Sequence, residues 1–203
     1  MTPTRRNILK MGALAAAGAV LPSRVFAQPV AYDNRINPAL KARALAAFQA
    51  RRSQLVHADV MAIADFSRAS RDPRFYLMDM RGGMVTAHLC AHGRGSDPQH
   101  SGWLEHFSNE VGSEATSNGE YITGDVYQGK YGRSLRLRGL NPSNSNAEAR
   151  AIVVHSAAYA EPRMVEQFGK LGRSEGCFAL PVVSHAETMF RMGPGRLLYA
   201  DRV

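Results

Sequence analysis

Apolar runs of four or five residues recur along this chain, and each stops before it could form a long buried helix. Val60-Met61-Ala62-Ile63-Ala64, Phe75-Tyr76-Leu77-Met78, Met84-Val85-Thr86-Ala87-His88, Ala151-Ile152-Val153-Val154 and Leu197-Leu198-Tyr199-Ala200 all have strand length. Tyr121-Ile122-Thr123 and Ser134-Leu135-Arg136-Leu137-Arg138 alternate as half-buried strands do. Arg81-Gly82-Gly83 lies between two of the runs as a hairpin signal, and Gly129 and Gly132 separate another two. Seven short strands with glycine-rich turns predict a mainly β domain, either a sandwich or a partly open barrel. One helix is expected outside it. Asn37 supplies an N-cap and Pro38 a first-turn proline, with apolar positions Leu40, Ala44, Phe48 and Leu55 near helical spacing. Two shorter helical stretches are expected around Arg163–Phe168 and Ser184–Met192.

Ahead of that helix the sequence has an export signal. Thr4-Arg5-Arg6-Asn7-Ile8-Leu9-Lys10 precedes an apolar run from Met11 to Leu21, too short to span a bilayer but suited to a signal h-region. Val25-Phe26-Ala27 offers a small-residue cleavage site before Gln28. The paired arginines resemble the twin-arginine signal, with Ile8 where that pattern usually has Phe. The expected organisation is a signal peptide at 1–27, a linker and N-terminal helix at 28–58, and a catalytic domain at 59–203. No stable membrane span is expected after cleavage, and the periplasm is the expected compartment.

The formal charge of +8 first suggests a nucleic-acid partner. Cleavage after Ala27 would remove Arg5, Arg6, Lys10 and Arg24 but no acidic residue, leaving 21 basic against 17 acidic side chains. The remaining cations are scattered, so nucleic acid is not expected and anionic cell-envelope polymers fit better. Two cysteines remain, Cys90 and Cys177. In an exported protein they could form one disulfide, or one could be a reactive thiol.

Chemistry concentrates in two places. His155 directly follows the apolar run Ala151–Val154, where a strand end can aim an imidazole at a cleft. Arg173-Ser174-Glu175-Gly176-Cys177 puts a glycine just before a cysteine, which lets the backbone turn tightly near the sulfur. Amide N–H groups in such a turn can bind an oxyanion. A free thiol is only slightly ionised at neutral pH, so a nucleophilic Cys177 needs a base such as His155.

His155 followed 22 positions later by the cysteine of Ser174-x-Gly176-Cys177 resembles the signature of the murein L,D-transpeptidase catalytic-domain family (YkuD-like, exported branch). Val153–Tyr159, Gly172–Cys177, Ala91–Ser96, Phe107–Asn109 and Tyr127–Gly132 are similar to that branch, and the resemblance covers roughly residues 60 to 200. It implies an L,D-transpeptidase-like β-sandwich or open barrel and action on peptidoglycan stem peptides. It also implies that Cys177 is the nucleophile, His155 the base, Ser174 a loop-orienting group, and Gly176 an oxyanion donor together with Cys177. Arg173, Tyr159 and His92 would line the substrate cleft, and no metal or organic cofactor is needed. Glu175 stands where many members have histidine, and Ala179 where many have arginine, which leaves Arg173 as the nearest substitute for a carboxylate partner.

Other readings of the same residues compete. His88-x-Cys90-x-His92 has the residue types of a zinc site and would share one side of a strand. Cys90 before His155 has the chain order of papain-like hydrolases. Water in place of an acceptor amine would give L,D-carboxypeptidase action. A non-catalytic murein-binding envelope protein on the same scaffold, with Cys177 inert or disulfide-bonded, is the alternative from a different class.

Overall fold

The computed structural model describes residues 36–203. The expected signal peptide and most of the linker lie outside them. Eight strands form one mixed sheet: β1 (Val60–Asp65), β2 (Phe75–Asp79), β3 (Val85–His88), β4 (Gly119–Gly129), β5 (Gly132–Gly139), β6 (Val153–Ser156), β7 (Phe178–Leu180) and β8 (Leu197–Asp201). Among the described residues three α-helices accompany them: α1 (Pro38–Arg51), α2 (Pro162–Phe168) and α3 (Val182–Met192). The strand order is β3-β2-β1-β8-β4-β5-β6-β7. Only β1–β8 and β6–β7 pair in parallel. The mainly β expectation therefore holds, with an N-terminal helix and short peripheral helices.

The Val60–Ala64 run in β1 is apolar throughout because the strand is buried on both faces. Val60, Ala62 and Ala64 face a central core with Phe66, Phe75, Leu135, Leu137, Val154 and Phe178. Met61 and Ile63 face the opposite way, toward Leu40, Ala44 and Phe48 of α1. That second layer is what the apolar spacing of the first helix serves. The Asn37 side chain accepts from the Ala39 N–H at 2.9 Å and Pro38 occupies the first turn, as the sequence predicts.

Two features bring the far ends of the sheet together. The segment after β3 bridges β7 at Ala91–Ala179, and Gly93 bridges Ser174 in the turn before β7. A third apolar cluster of Ala91, Ala157, Ala160, Leu171 and Ala179 lies at this junction. Among the described residues, no helix is long and apolar enough to cross a membrane.

Candidate active site

His155 and Cys177 come together because β6 and β7 are neighbours. In the parallel register His155 lies opposite Ala179, two positions beyond Cys177. Residues 153, 155, 177 and 179 therefore share one face, while Val154 and Phe178 point into the central core.

The His155 ring is buried, and its Nδ1 is 2.9 Å from the Ser156 carbonyl oxygen. A carbonyl only accepts, so Nδ1 carries the proton and Nε2 keeps its lone pair. Tyr131, from the tip of the β4–β5 hairpin, stacks on this imidazole with ring centroids 4.5 Å apart and planes at 21°. Tyr159 meets it edge-on at 6.5 Å. Burial lowers the imidazole's pKa, and the Ser156 hydrogen bond works the other way. His155 is thus a neutral imidazole at neutral pH.

The Cys177 thiol is partly exposed and donates to the Ala151 carbonyl at 3.5 Å. Burial pushes it up to about 11, a nearby Glu175 charge adds to that, and the Val153 N–H and the Arg150 guanidinium oppose it. Among the described residues no hydrogen bond joins Sγ to His155. The resting pair is therefore a thiol and a neutral imidazole, not a preformed thiolate–imidazolium.

Ser174 shapes the turn that carries the cysteine. Its Oγ donates to the Cys177 carbonyl at 2.7 Å and accepts from the Gly176 N–H at 3.2 Å. That second bond commits an amide that the family resemblance implies for the oxyanion. Gly176 sits at φ +111, and an added Cβ would stand 2.8 Å from the Ala115 carbonyl oxygen and 3.2 Å from Arg150 Nη2. Only glycine fits there. Arg150 in turn donates to the carbonyls of Ser108, at 2.8 Å, and Ala115.

Arg173 donates to the carbonyls of Asp97 and Pro98, the latter at 3.1 Å, which ties it to the neighbouring loop. Glu175 is exposed and lies 3.5 Å from Arg94, which also pairs with Glu114. Ala179 is fully buried, so an arginine there would have no room.

His92 does not line the cleft. It is 1% exposed, and Arg74 Nη2 is 2.7 Å from its Nδ1. Arginine only donates, so the His92 proton is on Nε2 and points to Asp97 Oδ2 at 3.2 Å. Burial and the Arg74 charge lower His92 to about 3, against the pull of Asp97. Asp97 also accepts from the N–H groups of Ser101 and Gly102. His92 is reassigned from the substrate to the scaffold: its own carbonyl accepts from the Ser174 N–H at 2.8 Å, bracing the turn from behind. Sequence reasoning missed Arg74 and Asp97, because nothing in their spacing marks a buried triad.

His88 and Cys90 each have other partners. His88 lies 3.2 Å from Thr86 Oγ1 and 3.7 Å from Glu187. Cys90 is fully buried, and burial pushes its thiol up to about 12. The strand β3 ends at His88, so His88, Cys90 and His92 do not share one strand face. Among the described residues no group of three His, Cys, Asp or Glu side chains could hold a metal ion. Both cysteines are free thiols.

Residues 32–200 match the L,D-transpeptidase catalytic-domain family. No curated protein matches the chain. Similar solved structures include an L,D-transpeptidase from Mycobacterium smegmatis (15% identity, 71% of this chain and 59% of that one, TM-score 0.42). An L,D-transpeptidase from Xylanimonas cellulosilytica is 12% identical over 78% of this chain and 69% of that one, with a TM-score of 0.40. A helical cell shape determining protein from Campylobacter jejuni is 12% identical over 73% and 48%, with a TM-score of 0.45. This chain thus spans about 59% of the Mycobacterium smegmatis protein. The sequence match covers nearly the whole described chain, and on that ground the protein belongs to the L,D-transpeptidase catalytic-domain family.

Proposed function

We propose that this protein is a cell-envelope cysteine acyltransferase acting on peptidoglycan stem peptides. The observation that carries the reading is the tautomer of His155: Nδ1–H is held by the Ser156 carbonyl, which leaves Nε2 free to take a proton on the face it shares with Cys177. Cys177 attacks the carbonyl joining a meso-diamino acid to the terminal D-alanine of a tetrapeptide stem. As the C–S bond forms, the thiol proton passes to His155, which returns it to the departing D-alanine amine. An acceptor amine then attacks the thioester and restores the thiol. Water in its place gives L,D-carboxypeptidase action.

The Cys177 N–H serves the oxyanion, since the Gly176 N–H is held by Ser174. Tyr159 and Arg173 border the reacting centre as substrate-contacting groups. Residues 1–27 direct export to the periplasm by the twin-arginine route. Lysine at both Arg5 and Arg6 should trap precursor in the cytoplasm, and normal periplasmic yield would discard that route.

The deciding experiment incubates the mature protein with purified tetrapeptide-stem muropeptide plus a D-amino acid and follows products by mass. Thioester at Cys177 and exchanged product are expected. His155→Ala should slow transfer by about 10²-fold or more, the size of a lost general base. Substrate binding without thioester would favour a non-catalytic murein-binding protein.

A further inference from the structure

Arg150 and Ala151 both meet the turn that carries Cys177. The Arg150 N–H closes a tight turn by donating to the Asn146 carbonyl at 2.9 Å, just before β6 begins. The Ala151 carbonyl accepts from the Cys177 thiol at 3.5 Å. The Arg150 guanidinium reaches the same turn. Its Nη1 donates to the Ser108 carbonyl at 2.8 Å, its Nη2 donates to the Ala115 carbonyl, and Nη2 stands 3.2 Å from where a Cβ on Gly176 would be. Asn146 ties this region to the neighbouring loop, its N–H donating to Asn109 Oδ1 at 3.1 Å and its Nδ2 to the Asn109 carbonyl at 2.9 Å. The guanidinium is therefore fixed against the backbone that leads into the sulfur.

Two neutral carbonyls hold this cation, and no carboxylate cancels its charge. Among the described residues Arg150 takes part in no ion pair, unlike Arg94, Arg191 and Arg196. It is half-buried, so its charge is screened less than one on the open surface. The groups whose anions would attract it are Tyr121 and Cys177. Tyr121 is fully buried with its hydroxyl paired to Ser117, and burial pushes its pKa up, which keeps it neutral. The sulfur remains. A fixed cation beside a group that must pass through an anion lowers the energy of that anion. Glu175 acts on the sulfur with the opposite sign. It is exposed and lies 3.5 Å from Arg94, so water and a cation both weaken its field. His155 and Tyr159, the other titratable groups here, are neutral at rest.

We propose that Arg150 is a positioning residue for Cys177, its uncancelled guanidinium serving as counter-ion to the thiolate that forms as the thiol proton leaves. It acts through the sulfur and forms no bond to substrate in this role. The proposal deepens the acyltransferase reading and rests on it for the need to ionise Cys177.

Alkylation of Cys177 in the mature chain, followed by peptide mass, tests this without turnover. Two reagents are compared at pH 8: iodoacetamide, which is neutral, and iodoacetate, which carries a carboxylate. R150Q should slow iodoacetamide by about threefold or more, because less of the thiol is ionised. R150K keeps the charge without the planar fork and should stay within about twofold of the parent. Both variants should melt lower than the parent, since neither holds both carbonyls, so a purely structural clamp would slow both alike. The ratio of iodoacetate to iodoacetamide rates reads the charge beside the sulfur independently of its ionisation, because both reagents need the same thiolate. That ratio should fall by about threefold or more in R150Q, and in the parent it should exceed that of N-acetylcysteine amide, a neutral model thiol. The parent comparison needs no variant and settles the question if R150Q does not fold. R150Q alkylated as fast as the parent, R150K slowed as much as R150Q, or a parent ratio no higher than that of the model thiol would each overturn the proposal. If muropeptide forms a thioester at Cys177 while R150Q alkylates like the parent, the Arg150 role alone fails. If the alkylation pattern holds and no thioester forms, the acyltransferase reading fails and the pairing of Arg150 with the Cys177 thiolate stands.

Discussion

The Cys177 thiol donates to the carbonyl of Ala151, and Ala151 holds the left-handed backbone conformation, φ +52, that aims that carbonyl. A hydrogen bond given by S–H favours the protonated form, and burial acts in the same direction. The sulfur therefore rests as a thiol. Alkylation of Cys177 by iodoacetamide, followed against pH, should rise about tenfold per pH unit from 7 to 10, consistent with a group pushed up to about 11. A plateau near pH 8 would mean a thiolate–imidazolium pair at rest and would refute the neutral-pair description. Cys177→Ser should abolish transfer, because a hydroxyl is far harder to ionise beside the same base.

Tyr131 stacks on the His155 imidazole and should set how dry that ring is. Its ring covers one face of the histidine, and burial is the main cause of the lowered imidazole pKa. Tyr131→Ala should let water reach the ring, so the His155 pKa should rise toward 6.5 and the acid limb of any transfer activity should move to higher pH with it. Tyr131→Phe keeps the ring and should titrate like the parent. An unchanged imidazole titration in the alanine variant would show that the stack does not dry the site.

Much of this was legible in the sequence for a physical reason: residues buried on two faces must be apolar without interruption. That is why the β1 and β6 runs stand out, and why His155 can be placed at a strand end. The strand Phe178–Leu180 is different. Three residues are too few for a period, and they form a strand only because β6 offers them a parallel partner. The long β4 is equally hard to read, since Gly124 and Asp125 fall at a register shift between Thr123 and Val126 that breaks its alternation. At the site, the Ser-x-Gly-Cys spacing is local and therefore visible. The placement of His92 is not, because its partner Arg74 lies 18 positions upstream and reaches it only through tertiary packing.

Gly176 should tolerate no side chain. Gly176→Ala would force a Cβ to within 2.8 Å of both the Ala115 carbonyl oxygen and Ile152 Cδ1, at a φ that L-residues rarely adopt. We expect destabilisation of about 2 kcal/mol or more together with loss of transfer. A melting temperature equal to that of the parent would show that the turn has freedom the structure does not reveal.

Cys90 should behave unlike Cys177. It is fully enclosed beside Arg74, whose Nε donates to the Cys90 carbonyl at 2.8 Å, and its own thiol lies 3.4 Å from the Ala91 carbonyl oxygen. Cys90→Ser should lose about 1–3 kcal/mol of stability if the new hydroxyl is left poorly paired, and should keep most activity. An inactive but stably folded Cys90→Ser variant, paired with an active Cys177→Ser, would restore the Cys-before-His order of a papain-like site.

The buried Arg74–His92–Asp97 chain should make stability depend on pH in a predictable direction. His92 accepts from Arg74 and donates to Asp97, so it is neutral in the folded protein, and protonation would set a second positive charge against the arginine. Its pKa is lowered from 6.5 to about 3 on folding. The unfolded chain thus binds this proton more readily than the folded one, and the contribution of His92 is complete above pH 6.5 and is lost as pH falls toward 3. In that window the group alone removes up to about 1.4 kcal/mol per pH unit. His88, His155 and His185 are also lowered by burial and add to the same slope, so the comparison needs a variant. His92→Gln keeps an acceptor for Arg74 and a donor for Asp97 but cannot titrate. Denaturant unfolding at pH 7, 5.5 and 4 should show the parent losing stability more steeply than His92→Gln. Equal slopes would mean that His92 is protonated in the folded protein, contrary to its position between Arg74 and Asp97.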